Sequence, residues 1–218
     1  VEQHEIVMRR YEQYKEATSK SNGPSFQQRY MTLPFEVPDQ RFRKTLSTLQ
    51  GDEGITASTA EGLAKLKPLK EGGTVTYGGM VITTREKAAE LSSDTNLTIK
   101  ILAFGQARVE MAYMPSAPIP AAQRVLEQAN ISIKDVTAIK SHNPFAVNDI
   151  IFAREMNIDV MQMNNYGCSL IWGHPQGPTG MRAIIELIEE LVIRGGGYGL
   201  FHGCAAGDTA MAVLIKGD

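Results

Sequence analysis

Three short segments combine histidine, cysteine and glycine in a way that suits acid/base chemistry. They are Ser141–Phe145, Asn164–Gly177 and Phe201–Asp208. Their reactive side chains are those of His142, His174 and Cys204. Imidazole can exchange a proton near neutral pH because its unperturbed pKa is about 6.5. Each segment ends a predicted strand or begins a predicted helix, where side chains and backbone N–H groups converge on a ligand. The segments therefore predict a ligand site that can transfer protons.

Strands and helices alternate regularly from Leu97 onwards and must position these segments. The apolar patterns predict strands at Thr98–Glu110, Val136–Lys140, Ile158–Met163, Tyr198–Gly203 and Thr209–Lys216. Helices are predicted at Pro118–Asn130, at Ala146–Met156 and over an apolar stripe from Met181 to Val192. This order predicts an α/β domain, a layered fold with a mixed sheet flanked by helices.

The first third of the chain has a different character. Its pattern predicts an amphipathic helix over Glu2–Ala17. The stretch from Phe26 to Gly73 contains prolines, glycines and scattered charges, which predict loops and short helices. We therefore expect an irregular loop domain over residues 1–73 and an α/β domain over residues 74–218.

The composition limits the classes of function and the partners that this protein can have. The 218 residues carry a formal net charge of −2, and no long stretch has one dominant sign, so neither nucleic acid nor an anionic membrane is expected as the main partner. No apolar run is long enough for a membrane span or a signal sequence. Two cysteines cannot form a disulfide framework, which favours a cytoplasmic location with reduced thiols. The chain opens at Val1 directly into a helix, which predicts that a part lies upstream.

The spacing of these motifs resembles that of the thiolases. Gly173-His174-Pro175, followed by a Gly-Pro-Thr-Gly helix start, resembles the Gly-His-Pro block of that family, and Cys204 stands where the family carries its second catalytic cysteine. The helix segment 118–126 and the segments 59–68 and 73–76 resemble further parts of the same family. The resemblance covers nearly the whole chain and implies the loop domain plus the C-terminal half of a thiolase-like layered fold.

The resemblance implies an acyl-CoA acyltransferase that cleaves a 3-oxoacyl-CoA with coenzyme A, or runs the reverse Claisen condensation. His174 would activate the nucleophile and help to hold the thioester oxygen. Cys204 would act as acid/base at the α-carbon, which requires nearby donors that lower its pKa. The backbone N–H of Ala206 would serve the second oxyanion site. Coenzyme A and its esters are implied as substrates, and neither a permanently bound cofactor nor a metal is implied.

His142 occupies the position of Asn in the family's Asn-Glu-Ala-Phe motif. A branch related to the sterol-carrier thiolases carries His there, and either residue can hold a water molecule or the thioester oxygen. The resemblance thus implies that His142 completes the first oxyanion site with His174. Asn143 and Pro144 depart from the usual residues of the motif.

Each of these residues also has a structural interpretation. An isolated histidine is by default satisfied by a neighbouring loop or backbone, and a free cysteine is usually a small buried hydrophobe. We interpret Cys168 as packing and His4 as a solvated surface residue. His202 lies one strand period from Cys204 and is expected on the same side, without a role. Candidates for lining an acyl pocket are Tyr166, Trp172 and Met80.

The nucleophilic cysteine of the family has no counterpart in this sequence. We therefore expect a companion polypeptide that carries the N-terminal half, either as a separate subunit or as the rest of a longer or nicked chain, assembled as a homo- or hetero-oligomer. The segment 73–84 is shorter than the family's pantetheine-binding stretch, so no coenzyme A contact is assigned there. The alternatives are a ketosynthase-like condensing enzyme, which generally lacks a cysteine at the position of Cys204, and a non-catalytic supporting subunit.

Overall fold

The computed structural model describes residues 2–20, 23–39, 41–53, 55, 59, 80, 82–92 and 97–218. Most of the motif segment 59–68, all of the segment 73–76 and most of the shortened segment 73–84 lie outside these ranges. The division into domains at residues 73 and 74 therefore stays a prediction. Among the described helices, none combines the length and the apolar character needed to cross a bilayer, and the cytoplasmic location also stays a prediction.

The described part contains six helices and six strands, apart from short 3-10 turns. The helices are α1 (Glu2–Thr18), α2 (Arg85–Leu91), α3 (Pro118–Ala129), α4 (Ala146–Met156), α5 (Ser169–Trp172) and α6 (Gly177–Arg194). The strands are β1 (Phe35–Pro38), β2 (Thr45–Leu49), β3 (Ile99–Arg108), β4 (Val136–His142), β5 (Gly197–Ala205) and β6 (Thr209–Gly217).

A mixed four-stranded sheet forms the centre of the C-terminal part. Its strand order is β3-β6-β5-β4, with β4 parallel to β5 and the other neighbours antiparallel. The parallel pair aligns His142 with Gly203. The C-terminal ends of β4 and β5 therefore lie side by side at one end of the sheet. They carry two of the three segments that contain the reactive side chains.

Helices cover both faces of this sheet. On one face α3 and α4 pack through buried residues such as Val125 and Phe152 against Leu200 and Leu214. On the other face α6 packs through Leu187 and Leu191 onto β4, β5 and β6. The predicted α/β fold with a mixed sheet flanked by helices is confirmed.

The segment Ile158–Met163 is not a strand, contrary to the prediction. Asn157 ends α4 in the left-handed conformation, and the next residues form a 3-10 turn at Val160–Gln162. The Asp159 carboxylate accepts the Met161 N–H at 2.9 Å and so caps this turn. A short apolar run is compatible with several conformations, and here local capping decided between them.

Another difference from the predicted elements lies in the first third of the chain. The segment expected to contain only loops and short helices includes the antiparallel hairpin β1–β2. In α6, Leu187 and Leu191 are fully buried against the chain's own sheet, whereas Met181, Ile184, Ile188 and Val192 of the predicted stripe are only partly buried. An exposed two-stranded hairpin lacks the apolar alternation that would have revealed it.

A buried ion pair fixes α1 to the rest of the fold. Arg10 and Asp149 are both fully buried, and Arg10 Nε donates to Asp149 Oδ2 at 3.1 Å. The Arg10 guanidinium also donates to the carbonyl oxygens of Met163 at 2.6 Å and Val160 at 2.7 Å. Charged hydrogen bonds therefore link α1 to α4 and to the turn that follows α4.

Arg10→Ala is expected to lower the free energy of unfolding by about 3–5 kcal/mol, because it leaves the Asp149 charge buried without its partner. Urea unfolding measures this change. Arg154→Ala serves as the matched control. Arg154 pairs with Glu2 at 2.6 Å on the surface, and exposed pairs contribute less than about 1 kcal/mol. Similar losses in the two variants would show that the buried pair does not anchor α1.

Candidate active site

Two histidines face each other where β4 ends and α6 begins. His142 is the last residue of β4, and His174 lies in the loop between α5 and α6. Their ring centroids are 4.2 Å apart, with the planes tilted by 37°. A Cβ on Gly203 would lie 2.9 Å from the His142 Cβ, so glycine is required beside this pair.

All four residues predicted for the site line the same cavity. The cavity has a volume of about 970 Å³, and its walls include His142, His174, Cys204 and Ala206. It continues over β3 and α3, where Gln106, Arg108 and Arg124 line it. The sheet edge thus brings together residues that are more than 60 positions apart in sequence.

Burial keeps His142 neutral near pH 7. Its pKa is lowered to about 4, first because burial penalises the imidazolium and second because His174 is close. Its Nδ1 lies 3.1 Å from the Ser169 hydroxyl at the start of α5. The ring is therefore held by a specific hydrogen bond and presents its remaining edge to the cavity.

The position of His174 depends on its loop and on the first turn of α6. Its Nδ1 lies 2.9 Å from Thr179 Oγ1, and Thr179 is buried in that first turn. Gly173 has a φ of 91°, a conformation that favours glycine. Unlike His142, His174 is exposed.

Cys204 lies near the end of β5 with its thiol buried. The Asn148 side-chain amide donates to its sulfur at 3.4 Å. The expectation of a lowered thiol pKa is wrong, because burial raises the pKa of Cys204 more than the two hydrogen bonds lower it. The thiol therefore stays protonated near neutral pH.

The remaining predicted residues fall outside the cavity wall. Cys168 is fully buried, and burial raises its pKa to about 11, in accord with a packing role. His202 is buried on the α4 side of β5, where its ring stacks on Phe152 at 3.7 Å. His4 is exposed on α1.

None of the three acyl-pocket candidates lines the cavity. Tyr166 stacks on Phe26 with ring centroids 4.0 Å apart. Trp172 is buried, and the guanidinium of Arg182 lies 4.2 Å from its ring. Met80 is partly buried and not among the lining residues. The residue types alone do not indicate the direction in which these side chains point.

Sequence reasoning missed four polar residues that hold the site. Asn148 contacts the Cys204 sulfur, Thr179 contacts His174, Ser169 contacts His142, and Asn143 contacts Ser169. Thr179 lies in the Gly-Pro-Thr-Gly helix start, which stands out in the sequence. Asn143 and Ser169 lie within the segments Ser141–Phe145 and Asn164–Gly177 but have no role assigned there, and Asn148 lies in α4 without a distinguishing pattern.

Within the described ranges no group of three or more His, Cys, Asp or Glu side chains is arranged to hold a metal ion.

The sequence of residues 95–217 matches the family model described as Thiolase, C-terminal domain. The chain belongs to the thiolase family, and the part it contains corresponds to the C-terminal half.

Relatives with known names agree with this placement. The chain is 32% identical over 178 residues to an acetyl-CoA acetyltransferase of Syntrophomonas wolfei, covering 76% of this chain and 44% of that protein. It is 31% identical over 194 residues to the human mitochondrial 3-ketoacyl-CoA thiolase, covering 84% of this chain and 48% of that protein. The chain thus spans about half the length of the curated relatives it matches.

Solved structures give the same result for the fold. The crystal structure of the Bacillus anthracis acetyl-CoA acetyltransferase superposes with a TM-score of 0.82 at 27% identity, covering 100% of this chain and 56% of that one. The crystal structure of the human mitochondrial 3-ketoacyl-CoA thiolase superposes with a TM-score of 0.76 at 25% identity. This match covers 100% of this chain and 55% of that one. The predicted thiolase-like fold is confirmed.

Proposed function

We propose that this chain supplies the acid/base half of a thiolase-type acyl-CoA acyltransferase. The reaction is cleavage of a 3-oxoacyl-CoA by coenzyme A, or its reverse, a Claisen condensation. One observation carries the proposal: His142, His174, Cys204 and Ala206 line a single cavity. The relatives named acetyl-CoA acetyltransferase and 3-ketoacyl-CoA thiolase support the same reaction class.

The chemistry assigns each group a task. A cysteine thiolate attacks the ketone carbon, the bond between the α-carbon and that carbon breaks, and an acetyl-CoA enolate leaves. The protonated thiol of Cys204 gives its proton to the enolate carbon. The coenzyme A thiol then gives its proton to the Cys204 thiolate and attacks the acyl-enzyme thioester, which releases the shortened acyl-CoA and restores the nucleophilic thiolate. In the condensing direction Cys204 removes the same proton, for which it must first be ionised.

His174 is assigned the activation of the nucleophile and a share of the first oxyanion site. Its Nδ1 is hydrogen-bonded to Thr179 Oγ1, so Nε2 is the nitrogen available to the substrate and the nucleophile. Ala206 stands in the turn between β5 and β6 and lines the cavity. Its backbone N–H is assigned to the second oxyanion site, where a donor fixed in place stabilises developing charge.

Neither thiol of this chain suits the role of nucleophile. Cys168 is buried outside the cavity with a pKa raised to about 11, and a thiol must ionise to attack. Cys204 is assigned to the acid/base step. We therefore place the nucleophilic cysteine in an N-terminal half, which is either a separate subunit or the rest of a longer or nicked chain.

Exposed groups near the cavity support a covering partner. On the α6 side of the sheet, Phe104 of β3 is 66% exposed and Met211 of β6 is 40% exposed, because α6 packs mainly on β4 and β5. His174 is also exposed in this chain alone, whereas such chemistry benefits from a site closed to water. We expect the N-terminal half to cover these groups.

Denaturing mass spectrometry of the purified enzyme, after iodoacetamide labelling, tests this arrangement. We expect a polypeptide mass that includes a further half of similar size, with one cysteine that reacts much faster than Cys168. The reason is that a nucleophilic thiolate is alkylated, whereas a buried thiol with a high pKa is not. An active preparation that contains only these 218 residues, acylated on Cys168 or Cys204, would refute the half-enzyme arrangement.

A ketosynthase-like condensing enzyme is the second candidate, favoured by the close contact of the two histidine rings. The presence of Cys204 in the same cavity favours the thiolase reaction, because a ketosynthase has no need of a thiol acid/base. A steady-state assay of cleavage of a 3-oxoacyl-CoA separates the two. Cleavage that requires coenzyme A supports a thiolase, condensation without thiolysis supports a ketosynthase, and no turnover in the full assembly supports a non-catalytic subunit.

A further inference from the structure

The hydroxyl of Ser169 has three polar neighbours, and together they determine where its proton lies. The backbone N–H of Asn143 lies 2.9 Å from Ser169 Oγ, the Asn143 side-chain oxygen lies 3.0 Å away, and His142 Nδ1 lies 3.1 Å away. A hydroxyl has one proton to donate and two lone pairs to accept with. The three neighbours therefore use its full capacity.

Hydrogen bonds to both Oδ1 and Nδ2 fix the orientation of the Asn143 side-chain amide. The backbone N–H of Leu170 can only donate, and it lies 3.2 Å from Asn143 Oδ1. Asn143 Nδ2 lies 2.7 Å from Asp149 Oδ2, a carboxylate oxygen that also receives Arg10 Nε at 3.1 Å. Exchanging the amide oxygen and nitrogen would place donor against donor and acceptor against acceptor.

The proton of Ser169 must therefore point to Asn143 Oδ1, which can only accept. One lone pair of Ser169 takes the Asn143 N–H, and the second is left for His142. In that arrangement Nδ1 of His142 carries the proton and donates it to Ser169. The opposite arrangement would leave two oxygens 3.0 Å apart with no proton between them, inside a buried site where such a contact is costly.

We infer that Ser169 and Asn143 are positioning residues that fix His142 as the Nδ1–H tautomer, so that its Nε2 presents a lone pair to the cavity. No hydrogen-bond partner of Nε2 is recorded in the described part of the chain, and the ring lines the cavity. Burial, which keeps the ring neutral, supports this form. The chain of contacts ends on the buried Arg10–Asp149 pair, which links α1 to this tautomer.

The consequence for catalysis rests on the proposed function. A bare nitrogen cannot donate a hydrogen bond to an oxyanion, so His142 cannot hold the thioester oxygen directly. It can hold a water molecule, which donates one O–H to Nε2 and directs the other at the oxygen. Of the two groups that His142 was expected to hold, the tautomer selects the water.

Long-range proton–nitrogen NMR correlation on protein labelled with ¹⁵N-histidine tests the tautomer directly. The sequence has four histidines, and His142→Gln identifies the signal of His142 by removing it. We expect a protonated Nδ1 and an unprotonated Nε2 in the wild type, without any substrate present. A protonated Nε2 in the wild type would overturn the inference.

Two variants test what fixes the tautomer. Ser169→Ala removes the acceptor for Nδ1–H, and Asn143→Ala frees the Ser169 proton to bond Nδ1, so both should shift His142 towards Nε2–H. Ser116→Ala, which removes an exposed hydroxyl that donates to Tyr113 O, is the control and should leave the signal unchanged. A tautomer that persists in both variants, folded as judged by the other histidine signals, would exclude these residues as its cause.

Kinetics add an independent measurement. Ser169→Ala should lower turnover by at most about a hundredfold, the lower end of the loss on removing an oxyanion donor, which here is the water held by His142. It should cause no further loss in a His142→Ala background. Additive losses would show that Ser169 does not act through His142. If thiolysis is absent while the NMR result stands, the proposed function fails and the tautomer assignment remains.

Discussion

Cys204→Ala is expected to abolish both thiolysis and condensation, with a loss of at least about 10²–10⁴-fold in turnover, the usual contribution of a positioned acid/base. The thiol is the group in the cavity assigned to exchange the α-carbon proton, and alanine cannot replace it. Transfer of the acyl group to the nucleophile in the N-terminal half should persist, since that step uses a different thiol. Steady-state rates in both directions, with mass spectrometry of the acyl-enzyme, measure the two effects separately.

Cys168→Ala is the matched control for this variant. Cys168 is also buried and near the site, with the Asn143 amide 3.2 Å from its sulfur, but it does not line the cavity. We expect its turnover to stay within a few-fold of the wild type. Near wild-type turnover of Cys204→Ala, or an equal loss in both variants, would remove Cys204 from the proposed acid/base role.

The sequence predicted the parts of the fold that follow a periodic apolar pattern. Helix α4 has the predicted bounds, and β5 and β6 lie within two residues of theirs, because each has one face on the core. The run Ile158–Met163 shares that apolar character but turns, since the side chain of Asp159 caps a local bend. Apolar content predicts burial, and a single polar residue can then decide the backbone conformation.

The site was predictable where glycine or spacing marks it. Gly173-His174-Pro175 and Cys204 stand out in the sequence, and the parallel register of His142 with Gly203 brings them together. The residues that set their protonation are not marked in this way. Ser169, Asn143 and Asn148 act through single contacts between distant segments, and such contacts depend on the folded geometry.

The raised pKa of Cys204 is another property of the site that could not be predicted from the sequence. The sequence places the residue before a tight turn, which suggests nearby donors, whereas the structure adds the depth of burial that outweighs them. A neutral thiol suits donation to an enolate, and its ionisation for condensation would need help from a group brought by substrate or by the N-terminal half.

His174→Ala is expected to cost more than His142→Ala. Loss of one oxyanion donor removes about 10²–10³ in rate, and His174 would lose activation of the nucleophile as well. His142 acts through a water molecule if its Nε2 only accepts, and a water can be retained by other polar groups in its absence. Rates of thiolysis, together with the alkylation rate of the nucleophile by iodoacetamide, distinguish the two roles.

Only His174→Ala should slow the alkylation, because only that residue is assigned to keep the nucleophile ionised. His4→Ala is the control, since His4 is an exposed histidine on α1 far from the cavity in sequence and in its contacts, and it should leave both rates unchanged. Equal and small losses at His142 and His174 would contradict the assignment. A larger loss at His142, with normal alkylation in both variants, would instead make His142 the residue that contacts the reacting oxygen and would reverse the order of the two histidines.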